Sequence, residues 1–216
     1  MSVFTRLSRI SRERKLTLFE EHMKPAAHEK VLDVGAQVSG NLLDVQFIDR
    51  YPWKENITAA NITQDFLDAI KKRYASVDTR LADARRLPWP DKYFDIVFSN
   101  AVIEHVGSSA DQQRMASEIM RVGKRWFITT PNRWYPFEFH MRMPLVTWLP
   151  GHAYLPFSKI VHRSPYLGKY VFGSRYGGVL RLLSARDLRR YFPNSRIIKQ
   201  RVTFMAETLI VVGPTG

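Results

Sequence analysis

Four polar side chains of this 216-residue sequence lie in or just after short apolar runs. Asp33 is inside the first run, which Gly35 ends, and Asn61, Asp83 and Asn100 end or follow the next three. Runs rich in β-branched and aromatic residues are typical of strands buried on both faces of a parallel sheet. Because ligands bind at the carboxyl ends of such strands, these oxygens are candidates for binding the donor groups of one ligand.

The apolar runs alternate with helical patterns, which predicts an α/β fold. Strands are expected at residues 30–34, 56–61, 79–82, 94–99, 125–130, 196–204 and 207–212. Helices are expected at residues 3–24, 42–50, 65–74, 110–122 and 183–192. Ser184 is a candidate N-cap of the last helix, with Asp187 three residues further on. The short turn between the last two strands predicts an antiparallel hairpin, so the chain should form a seven-stranded, mostly parallel sheet.

Length and composition indicate a single domain over residues 1–216. The absence of cysteine excludes disulfides, thiolate zinc sites and a cysteine nucleophile, and it fits the cytoplasm. The sequence contains no apolar run of about 20 residues that could cross a membrane. Met1 is followed by an arginine-rich segment without an apolar core, so we expect no signal peptide.

The net charge of +13 comes from residues outside 31–130. Residues 31–130 contain equal numbers of basic and acidic residues, whereas residues 131–201 contain thirteen Lys and Arg against only Glu138 and Asp187. This excess predicts an anionic partner, which could be a small molecule, a lipid surface or a nucleic acid. A solvated basic face is the alternative.

The chain divides into a regular core and two less regular segments around it. Residues 29–132 are expected to form the ligand-binding core, and residues 183–216 a terminal helix and hairpin. Residues 1–28 predict a helical cap over the mouth of the domain, with a helix lying on a membrane surface as the alternative. Residues 133–182, inserted after the fifth strand and rich in proline and aromatic residues, are expected to form a substrate lid.

Four motifs resemble those of class I S-adenosylmethionine-dependent methyltransferases, in particular the small bacterial type-11-like domains. They are Val-Leu-Asp-Val-Gly-Ala-Gln-Val-Ser-Gly (31–40), Asn61 after the second strand, Asp-Ala and Leu-Pro followed by Phe-Asp-Ile-Val (83–97), and Glu-His-Val (104–106). The resemblance implies a Rossmann-like fold and S-adenosylmethionine as the methyl donor. The family usually has glycine where this chain has Gln37 and Ser39, so the first motif matches only at Gly35. At position 61, asparagine offers one acceptor oxygen and no charge, which predicts weaker donor binding.

The resemblance also assigns roles in donor binding. It implies that Asp83 accepts a hydrogen bond from the adenine amino group, that the Ala84 amide reaches a ring nitrogen, and that Asn61 binds the ribose. Asp or Glu is usual at position 61 in the family, so Asn61→Asp is expected to bind the donor equally well or better. The donor-binding residues predicted in this way are Asp33, Gly35, Ala36, Gln37, Asn61, Ile62, Asp83, Ala84, Arg85, Asn100 and Glu104.

Three side chains are candidates for the base that removes a proton from the acceptor. They are His105 beside the fourth strand, and Glu138 and His140 where the lid begins. Each could instead have a structural role. Some relatives bind a metal with a Glu-His pair and another acid, but Ala101 leaves that set incomplete, so no metal site is predicted.

The predicted reaction is methylation of a hydroxyl on an anionic small molecule or glycan precursor. The Thr-Pro-Asn-Arg loop (130–133) resembles loops of methyltransferases acting on glycans and secondary metabolites. A pI near 10.1 keeps an RNA methyltransferase open as an alternative. The Ser-Asn-Ala-Val sequence after the fourth strand differs from adenine-methylating loops, so nucleic acid is the less favoured partner. An inactive, partner-binding relative is the second alternative. The expected location is cytoplasmic, with peripheral contact to an anionic membrane as the alternative.

Overall fold

The fold is described from a computed structural model of the chain. The structure describes residues 3–38, 46–138, 143–149, 161–163, 170–172 and 180–215. The predicted helix at 42–50 is seen only in its last part, and most of the expected lid, including His140, falls outside the described residues.

Seven strands form one mixed sheet at the centre of the molecule. The strands are β1 (Val31–Val34), β2 (Ile57–Asn61), β3 (Asp78–Leu81), β4 (Phe94–Asn100), β5 (Gly123–Pro131), β10 (Arg196–Arg201) and β11 (Ala206–Gly213). Their order across the sheet is β10-β11-β5-β4-β1-β2-β3. β1 to β5 are parallel, and β11 is antiparallel to both of its neighbours. The predicted Rossmann-like sheet with a C-terminal antiparallel pair is confirmed.

The order of the strands reverses between β1 and β4, which are neighbours in the sheet. Connections leave β1 toward β2 on one side and leave β4 toward β5 on the other, so the loops after these two strands diverge. Such a switch point opens a crevice at the carboxyl end of a parallel sheet. Val34, which ends β1, and Ser99, the residue before the end of β4, are register partners at the edge of this crevice.

Helices cover both faces of the sheet. They are α1 (Val3–Met23), α2 (Phe47–Arg50), α3 (Gln64–Arg73), α4 (Ser109–Val122) and α5 (Ala185–Tyr191). On one face, Phe19 of α1 contacts the rings of Phe47, Phe98 and Phe127 edge to face, with centroids 5.0–5.5 Å apart. On the other face, α4 and α5 bury Ile119 and Leu188 completely. The domain core therefore has three layers, with the sheet in the middle.

Capping by short polar side chains begins two of these helices. Ser184 accepts a hydrogen bond from the Asp187 amide, and Asp187 accepts one from the Ser184 amide, as the sequence predicts for α5. Ser108 and Asp111 make the same reciprocal pair at the start of α4. Such pairs satisfy backbone amides that the first turn of a helix leaves without partners.

The segment after β5 contains more regular structure than the sequence indicated. Two short hairpins occur in its described part, β6 (Phe137–Glu138) with β7 (Met143–Pro144), and β8 (Val161–Arg163) with β9 (Tyr170–Phe172). A single helical turn follows β7 at Val146–Trp148. Across the residues that can be described, no helix is both long and apolar enough to cross a membrane.

Candidate active site

A cavity of about 940 Å³ lies at the carboxyl ends of the parallel strands. Its walls include Gly35 after β1, Asn61 at the end of β2, Asp83 after β3 and Asn100 at the end of β4. The first half of α1 and the turn between β10 and β11 cover the same opening. Nine of the predicted site residues line this cavity: Gly35, Gln37, Asn61, Ile62, Asp83, Ala84, Arg85, Asn100 and His105.

Gly35 allows the chain to turn sharply at the floor of the cavity. Its φ of +81° is a conformation that side chains disfavour, and a Cβ atom here would lie 2.3 Å from a methyl group of Val102. Its amide donates to the Ala60 carbonyl at 2.8 Å, which holds the turn against β2. The backbone can therefore approach a ligand closely at this point.

Asn61 joins the loop after β1 to the start of α3. Its side-chain amide donates to the Ala36 carbonyl at 2.8 Å, and its Oδ1 accepts from the Thr63 amide at 2.9 Å. Thr63 is the N-cap residue of α3. The side chain that the sequence assigned to ribose binding thus also holds two segments of the cavity wall together.

Asp83 is held in place by its neighbour Arg85. Its carboxylate accepts bonds from the Arg85 amide and guanidinium at 2.6–3.0 Å. Hydrogen bonds from the Arg85 side chain lower the pKa of Asp83 below its ordinary value, so it is ionised near neutrality. Arg85 also lies 3.5 Å from Asp111 at the start of α4. Asp83 therefore offers a fixed acceptor at the end of the cavity beside β3.

The loop that follows Asp83 is clamped by an ion pair on α4. Arg121 donates to the Leu87 and Trp89 carbonyls at 2.9 and 2.7 Å, and it pairs with Glu118 at 2.7 Å. Glu118 accepts in turn from the Leu87 amide at 2.7 Å. The Leu-Pro motif thus has a structural role, because it sets the path of the chain between Asp83 and β4.

Asn100 connects the end of β4 with β5 and α1. Its Oδ1 accepts from the Thr129 hydroxyl at 2.7 Å and from the Lys15 ammonium at 2.8 Å. Lys15 lies one turn beyond Ser11, on the face of α1 that lines the cavity. A positive charge is therefore held above the crevice by a residue far away in the sequence.

Glu104 does not lie at the rim of the cavity, contrary to the sequence prediction. It is fully buried, and its carboxylate accepts a hydrogen bond from the Thr130 hydroxyl at 3.0 Å. Its carbonyl accepts from the Arg181 amide at 2.8 Å. The helical turn Ile103–His105 directs this side chain inward and leaves His105, the next residue, on the cavity wall. Glu104 thus braces the loop after β4.

Two further predicted donor-binding residues lie behind the cavity wall. Asp33 is 5% exposed and Ala36 is 2% exposed, and neither lines the cavity. Asp33 is enclosed between β2 and β4, where its register partners are Ala59 and Phe98. Burial raises the pKa of Asp33 to about 8. Ala36 contributes its carbonyl to Asn61 instead of facing a ligand.

Of the two base candidates in the expected lid, the structure describes Glu138 and not His140. Glu138 is 2% exposed and does not line the cavity, because the pairing of β6 with β7 turns it into the protein. His140 lies outside the described residues. His105 is the candidate base whose side chain the structure places on the cavity wall.

The sequence analysis missed several polar side chains of the cavity, among them Ser11, Arg12, Lys15, Tyr135 and Glu207. The Glu207 carboxylate accepts from the Ser11 hydroxyl at 3.2 Å, from the Gln200 side chain at 3.0 Å and from the Val202 amide at 2.9 Å. Tyr135 and Thr203 share a hydrogen bond of 2.9 Å on the same wall. In the sequence, the one local signal for Glu207 was that it is a single acidic residue at the start of the last strand.

Comparisons with known proteins agree with this arrangement. A family model described as a methyltransferase domain matches residues 32–126. A probable S-adenosylmethionine-dependent methyltransferase of Mycolicibacterium smegmatis is 34% identical over 64 residues, which are 30% of this chain and 25% of that relative. The matched stretch is therefore a quarter of the relative's length.

Solved structures share the fold over nearly the whole chain. A Pyrococcus horikoshii protein has a TM-score of 0.61 at 18% identity, covering 94% of this chain and 88% of its own. A methyltransferase of Clostridium acetobutylicum has a TM-score of 0.61 at 11% identity, with 95% and 90% covered. A 1,6-didemethyltoxoflavin-N1-methyltransferase of Burkholderia thailandensis, solved with S-adenosylhomocysteine, has a TM-score of 0.54 at 14% identity, with 94% and 76% covered.

The matched domain and the shared fold confirm the class of protein that the sequence indicated. Residues 32–126 carry a methyltransferase domain, and the chain has the fold of the class I S-adenosylmethionine-dependent methyltransferases. The cavity lies at the switch point of that fold, between the ends of β1 and β4.

Proposed function

We propose that this protein transfers the methyl group of S-adenosylmethionine to a hydroxyl of an anionic small molecule or glycan precursor. The observation that carries the proposal is the meeting of Gly35, Asn61, Asp83 and Asn100 in one cavity. These residues end four neighbouring strands, so their positions relative to one another are set by the sheet. The names of the Mycolicibacterium smegmatis relative and the Burkholderia thailandensis structure support the same donor.

The residues present suit this donor. The tight turn at Gly35 lets backbone amides approach the methionine portion. Asn61 retains a lone pair on Oδ1 for a ribose hydroxyl beside its bond to Thr63, and Asp83 can accept from the adenine amino group. The cavity volume of about 940 Å³ has room for a nucleoside-sized donor and a small acceptor together.

Methyl transfer requires alignment of the acceptor and removal of one proton. When bound, the donor supplies a methyl group on a positively charged sulfur and leaves as a neutral thioether. The carbon–sulfur bond breaks as the carbon–oxygen bond forms, and the hydroxyl proton passes to a base. His105 and Glu207 line the cavity and can receive that proton. Ser11, Gln200 and the Val202 amide orient Glu207 for this role.

The charges around the opening favour an anionic acceptor. Arg12 and Lys15 both line the cavity from α1. Among the described residues of the cavity wall the acids are Asp83, which is neutralised by Arg85, and Glu207 on the acceptor side. Two cations in a partly enclosed cleft raise the local concentration of an anion. A phosphorylated or carboxylated substrate fits this balance of charge.

The donor assignment is tested by titrating the purified protein with S-adenosylmethionine in a calorimeter. We expect saturable heat, and no heat at millimolar donor would refute the proposal and favour an inactive, partner-binding protein. Candidate acceptors are then screened with a donor labelled in its methyl group. Transfer of label to a hydroxylated anion supports the proposal. Co-purifying RNA that becomes labelled would support an RNA methyltransferase instead.

A further inference from the structure

An exposed apolar surface lies beside the cavity and has no role in the proposed chemistry. In the described part of the chain nine large hydrophobic side chains are exposed, and four of them lie between residues 134 and 149. They are Trp134, Leu145, Trp148 and Leu149, with exposed fractions of 52%, 51%, 49% and 43%. We call these four side chains the aromatic face. Exposed aromatic residues in one short stretch are typical of a binding surface.

The aromatic face is held together by hydrogen bonds within the segment. The Trp148 indole donates to the Trp134 carbonyl at 3.2 Å, and the Trp148 amide donates to the Leu145 carbonyl at 3.0 Å. The Leu145 amide donates to the Pro136 carbonyl at 2.7 Å. Trp134 and residues 145–149 are therefore joined and present their apolar side chains from one folded unit.

The same segment has its own small core, and the tryptophans are not part of it. Val146, Leu180 and Leu182 form a separate buried cluster, with Met143 packed against it. Burial of these residues is sufficient to anchor the segment to the domain. An incomplete core therefore does not explain the exposure of Trp134 and Trp148.

Basic residues are frequent in the part of the sequence that contains the aromatic face, and one of them contacts it. The Arg133 guanidinium lies 5.5 Å from the centre of the Trp134 ring. Residues 131–201 contain thirteen basic residues and only two acidic ones. Tryptophan favours the interface between water and lipid, and basic residues are attracted to anionic headgroups. The charge also disfavours pairing of two copies through this surface, because like charges repel.

We propose that the aromatic face docks on an anionic lipid bilayer. This inference goes beyond the proposed methyl transfer and does not depend on it. Tyr135 and Phe137 lie between the residues of the face in sequence and line the cavity. Docking therefore brings the cavity wall close to the headgroups, where an amphiphilic or lipid-linked acceptor can reach it.

Sedimentation with vesicles tests the proposal. The full chain is mixed with vesicles of phosphatidylcholine alone or with added phosphatidylglycerol, and the variant Trp134→Ser/Trp148→Ser is compared with Leu81→Ser. Leu81 is 55% exposed on β3, the edge strand of the sheet, and serves as the control for loss of an exposed apolar side chain. We expect binding to the anionic vesicles only, lowered at least about tenfold in the double variant and unchanged in the control.

Two further measurements keep the test decisive if the double variant folds poorly. Brominated lipid chains should quench the tryptophan emission of the wild-type protein in anionic vesicles, because the proposed docking inserts the rings. Absence of quenching, or equal loss of binding in Leu81→Ser, would overturn the proposal. A lipid-free dimer that the double variant loses would also overturn it, since the face would then be a contact between copies.

Discussion

Ser11 in α1 donates a hydrogen bond to Glu207 at the start of β11, although the two residues are 196 positions apart. Gln200 on β10 also donates to the Ser11 hydroxyl and carbonyl, at 2.9 and 3.1 Å. The helix that covers the cavity and the acid on its acceptor wall are thus joined directly. A movement of α1 would therefore change the position of the Glu207 carboxylate.

Glu207→Gln should lower acceptor turnover while leaving the affinity for S-adenosylhomocysteine unchanged. The amide keeps the size of the side chain but is a poor proton acceptor, and loss of a general base costs about 10²–10⁴-fold in rate. Turnover is measured with a labelled donor and the acceptor found by screening. Glu138→Gln is the control, since it changes a buried acid that does not line the cavity. Unchanged turnover in Glu207→Gln would exclude Glu207 as the base and leave His105 and His140 as the candidates.

Asp83→Ala should weaken binding of S-adenosylhomocysteine by about 1–3 kcal/mol, the range for a hydrogen bond to a charged group. The change removes the acceptor for the adenine amino group and leaves Arg85 without its nearest acid. Calorimetry measures the affinity. Asp91→Ala is the matched control, because Asp91 pairs with Arg121 at 3.0 Å and does not line the cavity. Equal affinity in Asp83→Ala and the wild type would show that the donor lies elsewhere.

Asn61→Asp should lower both the stability of the protein and its affinity for the donor. The sequence alone suggested equal or better binding, because an acid is usual at this position in the family. The structure changes this expectation, since a carboxylate oxygen would replace the amide that donates to the Ala36 carbonyl. Two acceptors facing each other cost about 1–3 kcal/mol when shielded from water.

Thermal unfolding and calorimetry of Asn61→Asp are compared with those of Asn56→Asp. Asn56 also donates from its side-chain amide to a carbonyl, that of Ala27, away from the cavity. The control variant should lose stability and keep its affinity for the donor. Improved donor binding in Asn61→Asp would mean that the ribose contact outweighs the bond to the loop.

The stability of the protein should fall as the pH rises from about 4 to about 8, through the buried Asp33. Its pKa is raised to about 8, so the folded state keeps a proton that the unfolded state has lost in this window. The limiting slope for one such group is about 1.4 kcal/mol per pH unit. Asp33→Asn should therefore flatten the dependence of the free energy of unfolding on pH.

Urea unfolding at about pH 5 and about pH 8 measures this difference. Asp65→Asn, which changes an exposed acid in the first turn of α3, should keep the pH dependence of the wild type. The same slope in Asp33→Asn and the wild type would show that Asp33 stays ionised when buried.

Local patterns in the sequence predicted most of the elements and nine of the residues that line the cavity. The strands were readable from their short apolar runs, and the reciprocal Ser184–Asp187 cap was readable because its hydrogen bonds join residues three positions apart. The strand-end residues Asn61, Asp83 and Asn100 could also be placed, because the carboxyl ends of parallel strands share one edge.

Only the tertiary structure decided which side chains from outside the parallel strands face the cavity. The insertion of β11 between β5 and β10 brings Glu207 to the strand ends, and the packing of Phe19 brings Ser11 and Lys15 over them. These contacts join residues 85 or more positions apart, so no short-range period records them. The Glu104 carboxylate is also held by a residue of another strand, since it accepts a hydrogen bond from the Thr130 hydroxyl of β5. The sequence alone determined the strand-end residues of the site, and long-range packing determined which other side chains complete it.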